Sequence, residues 1–308
     1  MVRKVFTLGE TVLDILFRNH EPFTAKAGGS CLNSAVSLGR LGLDVNFISE
    51  YGLDEVGNYI DKFLNSNNVD TKHVYRYYDG QSALALAFLN ENNDASYDFY
   101  KIFPEKRLAI PTPEIKQNDI LLFGSFFAIT KAVRFQLLSI LKAAKKNKAI
   151  VIYDPNFRKG HLHELKELKP LIVENMKYAD IIRASNEDFS LIFGANNADE
   201  AYEAINDKHK ALVYTANKNG VFLRTNRHKT TFKVPQIDPI STIGAGDNFN
   251  AGIIYSLMKK NTGLKSIEKL QTEEWEFIVN TGIEFATQTC LSYENYLSEE
   301  FAREFGKR

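Results

Sequence analysis

The sequence predicts a doubly wound α/β domain with a mostly parallel sheet, over which a small β-sheet forms a lid. Short apolar stretches that suit buried strands alternate with helical stretches along the chain. Polar clusters follow several of these strands, and open parallel sheets bind ligands at the carboxyl ends of their strands. We therefore expect one α/β domain over residues 1–308, with a ligand site at that edge of the sheet.

The composition excludes several classes of partner. Lys plus Arg and Asp plus Glu balance at 38 each, so the charge favours neither nucleic acid nor an anionic membrane as a partner. No stretch approaches the ~18 apolar residues of a membrane span. The two cysteines, Cys31 and Cys290, form no C-x-x-C motif, which is consistent with a reducing cytosol. We expect a cytoplasmic protein, with Cys31 as a small packing residue.

The elements follow from apolar patterning. Short apolar runs predict buried strands at Val5–Leu8, Val45–Glu50, Asp119–Gly124, Ala149–Tyr153, Ala179–Ala184 and Ala211–Thr215. Longer periodic runs predict helices at Cys31–Leu41, Val56–Leu64, Lys131–Asn147 and Thr272–Gln288. The predicted lid consists of Val12–Arg18, Ser82–Asn90 and Ser96–Lys101, with the turn Glu91–Asp94 between the last two.

A glycine-rich turn, Gly244-Ala245-Gly246, is followed by Asp247 and an apolar run that suits a buried helix. Backbone N–H groups in the first turn of a helix lack intrahelical partners, and with the helix dipole they form an anion site. A carboxylate there would repel a phosphate, unless it accepts the proton of a hydroxyl that attacks the phosphate. Asp247 is therefore either a catalytic base for phosphoryl transfer or an ordinary N-cap.

Two other phosphate-binding motifs are excluded. The pattern G-x-G-x-x-G fails because Phe249 stands where the third glycine is required. A Walker A motif needs Gly-Lys followed by Ser or Thr, but the Gly-Lys pair of this chain, Gly306-Lys307, is followed by Arg308.

The run Thr-x-Gly-Ala-Gly-Asp-x-Phe at 242–249 closely resembles the C-terminal signature of the PfkB, or ribokinase-like, carbohydrate kinases. Residues 27–42 (Ala-Gly-Gly-Ser-Cys-Leu-Asn-Ser-Ala, then Leu-Gly-Arg-Leu-Gly from 38) resemble the N-terminal signature. Both occur in the family's order. The resemblance implies a ribokinase-like fold and ATP-dependent phosphorylation of a sugar's primary hydroxyl. It also implies a lid that often forms the dimer contact, so we expect a homodimer.

The resemblance assigns the sugar to Asp14, Gly28, Gly29 and Asn33. In the family the residue matching Asp14 accepts hydrogen bonds from sugar hydroxyls, and the two glycines let the sugar approach the backbone. The alternative is that Asp14 is an exposed residue on an alternating strand. The form Gly-Glu-x-x-x-Asp, which begins at Gly9, is similar to that of fructokinases.

The loop Asp154-x-Asn156-x-Arg158 resembles the fructokinase and keto-deoxygluconate kinase branch of the family. Arg158 is a candidate ligand for sugar or phosphate oxygens, and the alternative is a structural network within the loop. A carboxylated sugar would need a dedicated cation, for which Lys101 and Arg107 are further candidates.

The resemblance also implies nucleotide contacts, at Asn186, Thr215, Gly220 and Asn280. Mg²⁺ should accompany ATP, bound mostly through phosphates and water. Three positions depart from the family pattern: Phe189 replaces a glutamate, for which Glu187 or Asp188 is a substitute; Asn217 replaces a glycine; and Ser241 replaces an aspartate that helps some members to bind a monovalent cation. Asn tolerates a positive φ better than most residues. We expect activity without potassium dependence.

Fructose is the first substrate predicted, 2-keto-3-deoxygluconate the second and a nucleoside the third. The three departures also leave open a sensor that binds sugar or nucleotide without turnover. The retained Gly244–Asp247 turn argues against such a sensor.

Overall fold

The computed structural model describes residues 3–89 and 95–307. Within these ranges the strands, numbered along the chain, are β1 (Val5–Leu8), β2 (Val12–Arg18), β3 (Glu21–Gly28), β4 (Val45–Gly52), β5 (Val69–Tyr77), β6 (Gln81–Leu89), β7 (Ala95–Ile102), β8 (Ile120–Gly124), β9 (Ile150–Asp154), β10 (Ile181–Ser185), β11 (Ala211–Thr215), β12 (Val221–Arg224) and β13 (Lys229–Phe232). The predicted turn Glu91–Asp94 and its neighbour Asn90 lie outside the described residues.

The α-helices of the described ranges connect these strands and cover the sheet. They are α1 (Ser30–Arg40), α2 (Glu55–Ser66), α3 (Arg134–Lys146), α4 (Leu165–Tyr178), α5 (Asn186–Phe193), α6 (Ala198–Ile205), α7 (Ala245–Lys259), α8 (Leu264–Ile267), α9 (Thr272–Cys290) and α10 (Glu299–Phe305). None of these helices is long and apolar enough to cross a membrane.

The larger sheet has the order β13-β12-β11-β10-β9-β8-β1-β4-β5. Its strands are parallel from β11 to β5, and the β12–β13 hairpin continues it in antiparallel pairing. The strand order reverses direction along the chain at β1, which lies between β8 and β4. Ligands bind at such a reversal in doubly wound sheets, because the connections there leave a crevice beyond the strand ends.

Helices cover both faces of this sheet, as expected for a doubly wound fold. Alternate residues of β8 show the two layers. Ile120 and Leu122 belong to the apolar cluster that includes residues of α1, α7 and α9, whereas Leu121 and Phe123 belong to the cluster with α3 and α4. Because side chains alternate across a strand, a continuously apolar strand is buried on both faces.

The smaller sheet, the predicted lid, has four strands in the order β3-β2-β6-β7. Strand β2 pairs antiparallel with β3 and parallel with β6, and β6 pairs antiparallel with β7. Strand β3 was not predicted. Its sequence, Glu-Pro-Phe-Thr-Ala-Lys-Ala-Gly, has no alternating apolar pattern, because it is an edge strand whose first residues are exposed.

Other elements were also absent from the prediction, among them the edge strand β5, the hairpin β12–β13 and the helices α4, α5, α6, α8 and α10. Strand β5 has no apolar pattern typical of a buried strand, because much of this edge strand is only half-buried and carries polar residues. The strands of the hairpin are four residues long, too short for a periodic signal.

Candidate active site

The site lies at the carboxyl ends of the parallel strands, where the first turn of α7 faces α1. The predicted Gly-rich turn does begin a helix: α7 starts at Ala245, and Gly244 is its N-cap with φ 79°. A Cβ at Gly244 would overlap the carbonyl oxygen of Asn295, so glycine is required there for two reasons. The Gly244 carbonyl accepts from both the backbone and the side-chain amide of Asn248, each at 2.9 Å.

This geometry leaves donors free at the helix start. Ala245 donates to the carbonyl of Thr242, but the N–H groups of Gly246 and Asp247 have no backbone acceptor among the described residues. The turn therefore has the donors and the dipole end of an anion site. Asp247 is the third helical residue and makes no capping bond, so the alternative that it is the N-cap does not hold.

Asp247 is half-buried, and its carboxylate oxygen Oδ2 accepts a hydrogen bond of 2.8 Å from Nδ2 of Asn33. Burial raises the pKa of Asp247 to about 6. The Asn33 hydrogen bond opposes that rise, Asp154 adds to it, and the cations Arg183 and Arg158 oppose it. A carboxylate with this pKa is mostly ionised at neutral pH and is a stronger base than an ordinary Asp.

Helix α1 holds the first turn of α7 through a row of polar side chains. Ser34 Oγ donates to the backbone carbonyl of Asp247 at 2.7 Å, and Ser37 Oγ donates to Oδ1 of Asn248. Asn33 lies beside Ser34, is 4 % exposed, and leaves its Oδ1 without a partner in the described structure. An unpaired buried acceptor is costly, so this oxygen marks a place for a ligand donor.

Asp14 lies on β2, with Gly28 of β3 against its side chain. A Cβ at Gly28 would lie 2.5 Å from Oδ2 of Asp14, so a larger residue there would displace the carboxylate. Asp14 is half-buried and makes no hydrogen bond within the described residues, and burial raises its pKa to about 7. Gly29, which follows Gly28, has φ 133° and is the N-cap of α1. Asp14 is therefore not the exposed residue of the alternative interpretation.

The loop after β9 begins with a buried network around Asp154. Its Oδ2 accepts from Nη1 of Arg183 at 2.9 Å and from Nδ2 of Asn250 at 2.6 Å, while Oδ1 accepts from the Asn156 amide at 3.1 Å. Asp154 is thus part of a structural network, as the alternative for this loop proposed. Arg158, in contrast, is exposed and makes no ion pair or hydrogen bond through its side chain in the described structure.

Arg183 is a residue of this site that the sequence did not identify. It is buried, and besides Asp154 it donates to Thr215 Oγ1 at 3.0 Å, while its Nε has no partner in the described structure. A Cβ at Gly246 would lie 2.6 Å from its Nη1. The guanidinium therefore lies directly against Gly246 in the first turn of α7. The only sequence signal was a cation inside an otherwise apolar strand.

Of the four residues assigned to the nucleotide, Thr215 contacts a residue of the site, whereas Asn280 lies exposed on α9. Thr215 ends β11 and contacts Arg183. Asn217 has φ 48° and Gly220 φ 106°, so the turn after β11 persists with Asn in the place of glycine. Asn186 begins α5 and is half-buried.

Asp188, one of the two candidates for the missing family glutamate, caps α5. Ser185 and Asp188 form a capping box on α5. They have the three-residue spacing of Asn-x-x-Glu, but they stand one position before Asn186 and Phe189, which align with that pattern. The other oxygen of Asp188 accepts from the Phe157 amide at 2.6 Å, which ties α5 to the loop after β9. Glu187 is exposed, and Phe189 is buried in the core.

Two of the three candidate cations for a carboxylated sugar are already paired. Arg107 forms a buried ion pair with Glu50, whose other oxygen accepts from the Leu108 amide. Lys101 pairs with Glu10 at 2.6 Å.

Comparison with known proteins agrees with this geometry. The sequence profile of the pfkB family carbohydrate kinases matches residues 3–292. The chain therefore belongs to the pfkB family of carbohydrate kinases, which confirms the prediction of a sugar kinase.

Sequence relatives and solved structures match this chain over most of its length. Probable fructokinase-7 of Arabidopsis thaliana is 28% identical over 81% of this chain and 75% of its own length. The aminoimidazole riboside kinase of Salmonella typhimurium is 23% identical over 84% of this chain and 82% of its own. The structure of a fructokinase double mutant from Vibrio cholerae O395, bound to fructose, ADP and potassium, superposes with a TM-score of 0.85 at 19% identity, covering 99% of this chain and 98% of that one. The ribokinase-like fold is confirmed.

Proposed function

We propose that the protein transfers the γ-phosphate of ATP to a primary hydroxyl of a monosaccharide, with fructose as the first candidate. The observation that carries this proposal is the first turn of α7. It carries the N–H groups of Gly246 and Asp247, which have no backbone acceptor among the described residues, together with the Asp247 carboxylate, and Asn33 with its unpaired Oδ1 contacts that carboxylate. An anion site and a base of raised pKa in one turn suit the phosphorylation of an alcohol.

In this mechanism the sugar oxygen forms a bond to the γ-phosphorus while the bond from that phosphorus to the β–γ bridging oxygen breaks. ADP leaves with the bridging oxygen, and Asp247 takes the proton of the hydroxyl. The Gly244–Asp247 turn stabilises the charge of the phosphate in transit, with Arg183 behind it. Asp14, Gly28, Gly29 and Asn33 hold the sugar, and Asn186, Thr215, Gly220 and Asn280 are assigned to the nucleotide.

Mg²⁺ would accompany ATP and neutralise phosphate charge. Such an ion is held mostly through phosphate oxygens and water, since Mg²⁺ gives up its water ligands reluctantly. Asp154, whose charge acts on Asp247, already accepts from Arg183 and Asn250.

Fructose ranks first because fructokinases of Arabidopsis thaliana are among the relatives and because two candidate cations for a carboxylated sugar are paired within the protein. A carboxylated sugar such as 2-keto-3-deoxygluconate remains the second candidate, since Arg158 is unpaired in the described structure. A nucleoside is the third candidate substrate, because an aminoimidazole riboside kinase is among the relatives.

The test is ADP release with Mg·ATP over fructose, ribose, tagatose, 2-keto-3-deoxygluconate and adenosine. Phosphorus and carbon NMR of the product would show which hydroxyl carries the phosphate. We expect fructose to turn over fastest, at a primary hydroxyl. Turnover of another substrate alone would reassign the sugar. Binding of ATP and a sugar without steady ADP release would favour the sensor instead.

We also propose that the protein is a homodimer through the lid. Exposed aromatic and aliphatic side chains on the lid strands support this proposal: Phe23, Phe99, Tyr100 and Ile102. Light scattering after gel filtration should give twice the mass of the chain for the wild type and a smaller mass for Tyr100→Asp. A wild-type mass equal to that of one chain would contradict the proposal.

A further inference from the structure

Lys26 connects the smaller sheet to the loop at residues 291–297. It lies on the edge strand β3, and its side chain is 13 % exposed. Its Nζ donates to the backbone carbonyl of Tyr293 at 2.5 Å and lies 3.4 Å from Oε1 of Glu294. Lysines are rarely buried unless they are paired, so this contact with a distant part of the chain is a specific one.

The 291–297 loop also supports the first turn of α7. The carbonyl oxygen of Asn295 lies so close to Gly244 that a Cβ there would come within 2.2 Å of it. The same carbonyl accepts a hydrogen bond of 2.9 Å from Nδ2 of Asn248. A shift of this loop would therefore displace the N-cap of α7 and the N–H groups that follow it, because closely packed groups transmit strain.

Helix α1 holds the far end of the loop. The Leu297 amide donates to Oγ of Ser37 at 2.9 Å, and the Leu297 carbonyl accepts from Nη1 of Arg40 at 2.6 Å. The loop is thus fixed to α1 and α7, and Lys26 adds a contact from the smaller sheet.

Lys26 has a second acceptor within reach, on its own sheet. In the pairing of β2 with β3 it lies directly opposite Asp14. Opposite residues of an antiparallel pair share one face, with Cβ atoms about 4.5–5.5 Å apart, so a lysine can reach the carboxylate. Burial nevertheless raises the pKa of Asp14 to about 7, and no cation of the described residues opposes that rise. The contact with Tyr293 and Glu294 therefore keeps the ammonium away from the carboxylate that is assigned to the sugar.

We propose that Lys26 is a positioning residue that couples the sugar site to the α7 turn through the 291–297 loop. While the loop holds the ammonium, Asp14 is free to accept sugar hydroxyls. A sugar that occupies Asp14 in turn favours the loop-bound position of Lys26 and so strengthens phosphate binding at the turn. This inference rests on the proposed kinase function and deepens it, because it requires sugar and nucleotide to bind cooperatively.

The experiment is calorimetry of the full-length protein with Mg²⁺ and a non-hydrolysable ATP analogue, with and without saturating fructose. In the wild type we expect fructose to tighten binding of the analogue at least about fivefold, and the analogue to tighten binding of fructose by the same factor. In Lys26→Met this factor should fall to about one, because the variant cannot donate to the loop. Lys26→Arg can still donate to the Tyr293 carbonyl and should restore most of the factor.

Lys229→Met is the matched control. It removes a lysine that pairs with Asp199 at 2.8 Å from β13, the edge strand at one end of the larger sheet, and it should leave the factor unchanged. Hydrogen exchange of the ligand-free protein gives a second measurement. Lys26→Met should speed the exchange of amides in β3 and in residues 244–250 together, whereas Lys229→Met should not.

A wild-type factor of one would overturn the inference, as would an equal factor in Lys26→Met and the wild type. Faster exchange confined to β3 would also contradict it, because the loop would then not transmit the change to the α7 turn. If the wild type binds neither fructose nor the analogue, the proposed function fails, whereas hydrogen exchange still decides whether Lys26 links β3 to the turn.

Discussion

The guanidinium of Arg183 lies directly behind Gly246, so closely that a Cβ on Gly246 would come within 2.6 Å of Nη1. A buried cation is thereby placed against the first turn of α7, and its hydrogen bonds to Asp154 and Thr215 hold it there. The glycine is required for this close approach, and the turn and the cation together create the positive potential that a transferring phosphate needs.

Replacement of Gly246 by alanine should displace Arg183 and lower kcat by at least about tenfold, because small errors in position are costly for charge stabilisation. Gly160→Ala is a matched control, since a Cβ there meets nothing within 4 Å. Initial rates at saturating sugar and ATP, with melting temperatures of both variants, would check this. Equal rates for Gly246→Ala and the wild type would mean that Arg183 is not needed behind the turn.

The two carboxylates of the site should reduce stability at neutral pH. Their pKa values are raised by burial, to about 7 for Asp14 and about 6 for Asp247, above the 3.8 of an ordinary Asp. The folded state therefore binds more protons between these values, and stability falls as the pH rises through the folded pKa values. Asp14→Asn or Asp247→Asn should stabilise the protein by about 1–3 kcal/mol at pH 8 and by much less at pH 4.

Denaturant unfolding of each variant at the two pH values would measure this difference. The exposed Asp238→Asn serves as the control and should show no such pH dependence. If Asp14→Asn and Asp247→Asn changed stability equally at both pH values, the two carboxylates would not pay a burial cost in the folded protein.

The sequence identified the parts of the site that lie in contiguous motifs and missed those that depend on long-range contacts. The turn at Gly244, the base candidate Asp247 and the partner helix of Asn33 all follow from local patterns. Arg183 does not, because its contacts to Asp154 and Gly246 join residues that are far apart in the chain.

The same limit explains the other differences. Arg107 was a candidate for a sugar carboxylate, but its partner Glu50 is 57 residues away, and no local pattern shows that pair. Edge strands such as β3 carry polar, exposed residues and lack the alternation by which strands are recognised. Buried central strands were found because they are continuously apolar.

Two arginines should respond differently to the loss of charge. Arg107→Met removes one partner of a buried ion pair, so it should destabilise the protein by about 3–5 kcal/mol. Arg158→Met removes an exposed, unpaired cation near Asp247, so it should leave stability unchanged and lower kcat/KM at least about tenfold. Urea unfolding and steady-state kinetics on both variants would test this, and a reversed pattern would place Arg107 in the sugar site.

Potassium should not activate the protein. Ser241 stands where the family usually has an aspartate, and its hydroxyl accepts a hydrogen bond from the Ile243 amide at 3.2 Å. A neutral hydroxyl offers a cation less than a carboxylate does. Rates measured in equal concentrations of potassium and sodium should agree, and Ser241→Asp is the variant in which a dependence is expected. A large rise of the wild-type rate in potassium would contradict this account.

The most direct test of the central claim is the rate of Asp247→Asn beside the wild type, with Mg·ATP and the sugar that turns over fastest. Calorimetry should first show that the variant still binds the sugar and a non-hydrolysable ATP analogue. We predict that kcat falls by at least ~10², the lower end for the loss of a general base, while both affinities change little. Equal turnover in the variant would show that Asp247 is not the base and that the proposed mechanism is wrong.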